Sequence, residues 1–117
     1  MKVDVSGVIL RPNGKPIEDG EADVDKNGTR PSLTVASAMV TALSIDYGQR
    51  EKSAVDGKEK YRRDKLARTI FNAENGLVDI SIEDAATIKE LVGLCYPPFV
   101  VGPVYDALEG TALKAVE

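Results

Sequence analysis

The chain is 117 residues long, with 43% apolar and 29% charged residues and a net charge of −4. That suits one domain with a modest core and fits neither a disordered chain nor a membrane protein, because no run reaches the roughly 18–20 apolar residues a bilayer span needs. Histidine and tryptophan are absent and there is one cysteine, Cys95, so His-dependent nucleophile sites, the usual zinc ligand sets and an internal disulfide are all excluded within the chain.

The start, "MKVDVSGVIL", has one lysine and an apolar run broken by Asp4, Ser6 and Gly7. It lacks the plan of a signal peptide, and a soluble chain kept in a reducing cytosol is expected. Val3, Val5 and Val8 to Leu10 have strand character, and Pro12-Asn13-Gly14 marks a turn. This predicts an N-terminal β-hairpin over 2–18, with strands near 2–10 and 14–18 and an Asn-Gly turn suited to type I′ geometry. Residues 19–31 follow as an acidic loop.

A helical part is expected over 32–110. "SLTVASAMVTALSI" (32–45) reads as a first helix with Ser32 as N-cap. It is apolar nearly all round, with Thr34, Ser37, Thr41 and Ser44 on one stripe, which demands burial on most sides. The hydroxyl stripe suits close internal packing, with an oligomer contact as the alternative. Residues 46–57 read as a polar connection. "GKEKYRRDKLARTIFNAENG" (57–76) reads as a second helix that buries Leu66, Ala67, Ile70 and Phe71 and is stopped by Asn75-Gly76. Ser81 with Glu83 and Asp84 opens a third helix, whose stripe Ala85, Ile88, Val92 and Cys95 faces a core. Pro97 and Pro98 end it and start a fourth, and residues 111–117 are left as a short tail. Pro103 either kinks that last helix or marks its true start, with Gly102 as cap. The class is α+β, a single domain with a hairpin and about four helices.

Three constellations could carry chemistry. "DVDKNGTRPSLT" (23–34) places Asp23, Asp25, Asn27 and Gly28 as a calcium loop would, but its twelfth place is Thr34 where a bidentate glutamate is required. An acidic turn is the simpler reading. The segment 58–68 holds six basic and two acidic residues, whereas the rest of the chain holds nine and seventeen. Lys58, Arg62 and Lys65, with Tyr61 and Arg68 beside them, form a candidate binding face. A solvated helix face, a protein partner and nucleic acid are the three readings, in falling order, since an acidic body is a poor general nucleic-acid binder. Cys95 would sit at a helix C-terminus, where the dipole disfavours a thiolate, so it reads as a packed small hydrophobe. No phosphate-binding glycine motif is present. Neither a catalytic residue nor a cofactor is indicated.

The segments "DVSGVILRPNGKPIEDG", "LTVASAMVTAL" and "ISIEDAATIKELVGLCYPPFVVGPVYDALEG" resemble small tailed-phage and prophage proteins of unassigned function, over about residues 3–20 and 32–110. The most specific part has the pattern EDxxxIKxLVGxxYxPxVVGxxYxxLEG. Here it is carried by Glu83, Asp84, Ile88, Lys89, Leu91, Val92, Gly93, Tyr96, Pro98, Val100, Val101, Gly102, Tyr105, Leu108, Glu109 and Gly110. Pro103 departs from it, where a helix former is usual. The resemblance implies a phage setting, in the cytoplasm of a bacterial host or in the virion. It also implies a non-enzymatic accessory protein acting through protein contacts, first of all in virion or tail assembly. An inhibitor of a host or defence protein is the runner-up and a weak nucleic-acid-binding regulatory module the third reading. The expected partner is a phage structural protein or a host protein, with a homo-oligomer as a further option and no membrane. Tyr96, Phe99 and Tyr105 join the candidate surface if they face outward.

Overall fold

The computed structural model describes residues 1–20, 23–51, 55–73 and 75–116, with backbone alone for Gln49 and 111–116. In chain order the elements are β1 (Lys2–Asp4), α1 (Val35–Ser44), a short 3-10 turn (Gly48–Arg50), α2 (Gly57–Phe71), β2 (Leu77–Asp79), α3 (Ile82–Cys95) and α4 (Pro98–Val116). The class is α+β with four helices, as the sequence predicts.

The pairing at the N-terminus differs in detail. The turn at 11–15 forms, closed by Gly14 N–H to the Arg11 carbonyl at 2.8 Å and Arg11 N–H to the Lys15 carbonyl at 2.8 Å. Gly14 has φ +83° while Asn13 stays at negative φ, so the turn is a type I with a glycine bulge and not type I′. Only Leu10 and Pro16 bridge across it. The regular partner of β1 is β2, antiparallel, with Val3 opposite Val78. Val3 and Val78 are both buried while their strand neighbours are exposed, so hydrophobic alternation sets this register.

Helix α1 is the centre of the molecule and touches α2, α3 and α4. It begins later than expected, capped by Thr34, whose hydroxyl accepts from Ser37 N–H at 3.1 Å. Ser32 instead bridges to Glu18, which extends the chain before the helix. Val35, Ala38, Met39, Ala42 and Leu43 are buried, so the helix buries one broad face. The hydroxyl stripe is partly enclosed, at the edge of α1 that borders α2. Ser37 and Thr41 line a half-exposed groove beside Phe71.

Helix α2 buries Leu66, Ala67 and Ile70 against α1. Phe71, expected in that face, is 76% exposed, because the helix ends there and the chain turns away through Asn72. Gly76 does take the left-handed φ, +70°, but as the hinge into β2 and not as the helix cap. Helix α3 starts as expected, with Ser81 Oγ accepting from Asp84 N–H at 3.1 Å. Ala85, Ile88, Leu91 and Val92 are buried, whereas Cys95 is half-buried. Helix α4 starts at Pro98, runs through Pro103 and continues to Val116, so 111–116 is helical and Glu117 lies outside the described residues. Val100, Val104 and Leu108 complete the core. No helix among the described residues is long and apolar enough to cross a membrane.

Candidate functional site

The basic segment splits into two populations once its partners are known. Arg62 is turned onto the body. Its Nε and Nη2 each donate to Glu59 at 2.8 Å, Nη2 also donates to Thr87 Oγ1 at 2.8 Å, and Nη1 donates to Asp84. This ties α2 to the first turns of α3. Arg63 is more enclosed, with its side chain 11% exposed, and donates to Glu51 at 2.7 Å and to Glu59 at 2.9 Å. That bond straps the connection before α2 onto the helix. Glu59 therefore serves both arginines. The guanidinium of Arg62, and then that of Arg63, holds the Glu59 carboxyl below the usual glutamate range against the opposing effect of burial.

The remaining cations face out. Arg68 pairs with Asp64 one turn earlier at 2.8 Å, both well exposed. Lys58 and Lys65 make no ion pair among the described residues. Lys65 Nζ instead stands 5.4 Å from the centroid of the Tyr61 ring, a cation–π contact. Tyr61 is 63% exposed. Asp56, Lys58, Glu59, Tyr61, Arg62 and Lys65 line an open groove of about 660 Å³ on this side of α2. Asp56 caps the helix, accepting from Glu59 N–H at 2.8 Å, and so fixes the groove's N-terminal rim.

The aromatic set at the other end does not join this face. Helix α4 packs on α3, α1 and β1, whereas α2 packs on α1. Tyr105 is half-buried and donates to the Lys89 carbonyl at 2.9 Å, while Lys89 Nζ lies 5.5 Å from its ring centroid and pairs with Glu109. These three residues clamp α3 to α4. Tyr96 is half-buried against the core and Phe99 is the outward member, 37% exposed.

Tyr47 is a residue the sequence does not flag. It is 4% exposed and donates to the Ala42 carbonyl at 2.6 Å and, at 3.3 Å, to that of Leu91, linking α1 and α3. Burial, and next the neighbouring Cys95, push its phenol well above the ordinary range. The 46–57 stretch looks polar, and a lone tyrosine in it carries no periodic signal.

In the acidic loop, Asp25 spends its carboxylate locally, accepting from Asn27 N–H at 2.8 Å and Thr29 N–H at 2.9 Å. Gly28 supplies the positive φ of that turn, +77°. Asp23 and Asn27 are exposed beside it. Among the described residues, no group of three or more acidic or cysteine side chains converges as a metal site would. Neither a protein family, nor a curated protein, nor a solved structure matches the chain.

Proposed function

We propose that the chain is a non-enzymatic, phage-type accessory protein that works by binding another protein, in virion or tail assembly. The observation that carries the binding part is the outer face of α2. There a largely exposed tyrosine lies in an open groove between two lysines that pair with no carboxylate among the described residues. Exposed aromatics of this kind are the usual anchors of protein interfaces, because they bury much area at small entropic cost. The turning-in of Arg62 and Arg63 supports a protein over a nucleic-acid partner, since it removes two of the six cations of 58–68 from those available for phosphate. The phage setting rests on the C-terminal resemblance.

Affinity capture with tagged chain from phage-infected or lysogenic cells tests this, run beside Tyr61→Ala. The expected result is a head or tail protein that the wild type retains and Tyr61→Ala loses, with an unchanged thermal melt. A host protein retained in the same way would replace assembly by inhibition. Retention indifferent to Tyr61 would remove this face from the reading.

A further inference from the structure

We infer that the α2 face takes an acidic amphipathic helix of the partner, with two carboxylates seven residues apart and an apolar side chain between them. The inference rests on the protein-binding reading and names the chemistry of its partner.

Lys58, Tyr61 and Lys65 are spaced three and four residues apart, so they form one line along the helix. Lys58 and Lys65 lie about 10 Å apart along its axis, at 1.5 Å per residue. Every other arginine or lysine of α2 has an acidic neighbour: Lys60 has Asp46, Arg62 has Glu59 and Asp84, Arg63 has Glu51, and Arg68 has Asp64. Two ammoniums that pair with no carboxylate among the described residues, bracketing one ring, thus ask for two anions bracketing an apolar group. A second helix laid alongside meets that spacing with positions i, i+3 or i+4, and i+7.

Charge favours this occupant over a polyanion. Asp56 and Glu59 rim the same groove and would repel phosphates placed between the lysines. Outside 58–68 the chain carries nine basic and seventeen acidic residues. An acidic helix is therefore repelled by most of the surface and drawn to this one place, which sets orientation and encounter rate more than affinity.

The test is an NMR titration of the isotope-labelled full chain with a capped alanine-rich helical peptide carrying two Glu seven residues apart and a Leu midway. Two control peptides replace both Glu by Gln, or move the second Glu two residues along and off the face. Amide shifts confined to 56–66 are expected, with affinity reduced about tenfold or more for either control and for Lys58→Glu/Lys65→Glu. Both lysines are exposed, and an unchanged melt verifies that the variant folds. Equal binding of the Gln control, shifts centred elsewhere, no shifts at millimolar peptide, or tighter binding of a short thymidine oligonucleotide at the same face would each overturn the inference. A captured partner protein still held by Lys58→Glu/Lys65→Glu would also overturn it, while leaving the protein-binding reading in place.

Discussion

A β-carbon added at Gly76 would stand 2.7 Å from Cβ of Ser6, at a backbone φ of +70° that side chains rarely adopt. The carbonyl of the same residue accepts from Val5 N–H at 2.7 Å, so the backbone cannot withdraw without loosening the N-terminal strand. Gly76→Ala is expected to cost about 2–3 kcal/mol, the sum of left-handed strain and a steric shift. A urea melt checks it, and an unchanged midpoint would refute the close approach. Asn75-Gly76 announces the left-handed turn in sequence, but the proximity of Ser6 is non-local and cannot be read there. Tyr47 makes the same point from the core. Its folded-state pKa lies above its unfolded value near 10, so its share of stability is intact below pH 10 and is lost as pH climbs toward the raised value. Tyr47→Phe should cost about 1 kcal/mol at neutral pH and flatten that alkaline decline. Denaturant midpoints measured across the alkaline range read both.

Pro103 sits in the sixth position of α4, where it withholds the amide that the Phe99 carbonyl would accept. The helix passes through it because Val100, Val104 and Leu108 are all fully or nearly buried on one side, and that packing outweighs one lost bond. Relieving the defect should stabilise. Pro103→Ala is expected to raise stability by about 2 kcal/mol, the helix gain of roughly 3 kcal/mol less the roughly 0.4–1 kcal/mol that proline contributes by stiffening the unfolded chain. A rise in urea midpoint at constant slope checks it. The elements differ in how far the sequence discloses them. Helix α3 is legible from end to end, since Ser81, the acids after it and the prolines at its far end are all local signals. The strand pairing is not. Pro12-Asn13-Gly14 advertises a hairpin, and the turn does form, yet β1 finds its regular partner at Leu77–Asp79, which no local pattern can announce. The basic face of α2 was half legible. Periodicity groups Lys58, Tyr61, Arg62 and Lys65, but cannot see that Arg62 is claimed by Asp84 and Thr87 from another helix.

Across the whole molecule, charge is used in two ways. Ion pairs from Arg62 to Asp84 and from Arg63 to Glu51 hold α2 in place, with Glu59 of the same helix orienting both arginines, while Lys58 and Lys65, which pair with no carboxylate among the described residues, face outward. The first use predicts an acid limit to stability. The folded-state pKa of Glu59 lies below its unfolded value, so its contribution is present above the ordinary glutamate range and disappears as pH falls through the depressed value. Glu59→Gln should lower stability at neutral pH and make it less dependent on pH between about 5 and 3, where a glutamate titrates. Chemical melts across that interval provide the check, and parallel curves for wild type and variant would exclude the linkage. The pairing of β1 with β2 also governs when the chain can finish folding. The N-terminal amine and its partner Asp79 are 78 residues apart, and closing a loop of that length costs roughly 4 kcal/mol in chain entropy. During synthesis, at about 5–20 residues per second, the first strand must wait roughly 4–15 s for its partner to be made. Helices α1 and α2 can dock in that interval, while the N-terminal strand stays unpaired until β2 is made and uncovered until α4 follows, so its valines are what a chaperone would meet on the nascent chain.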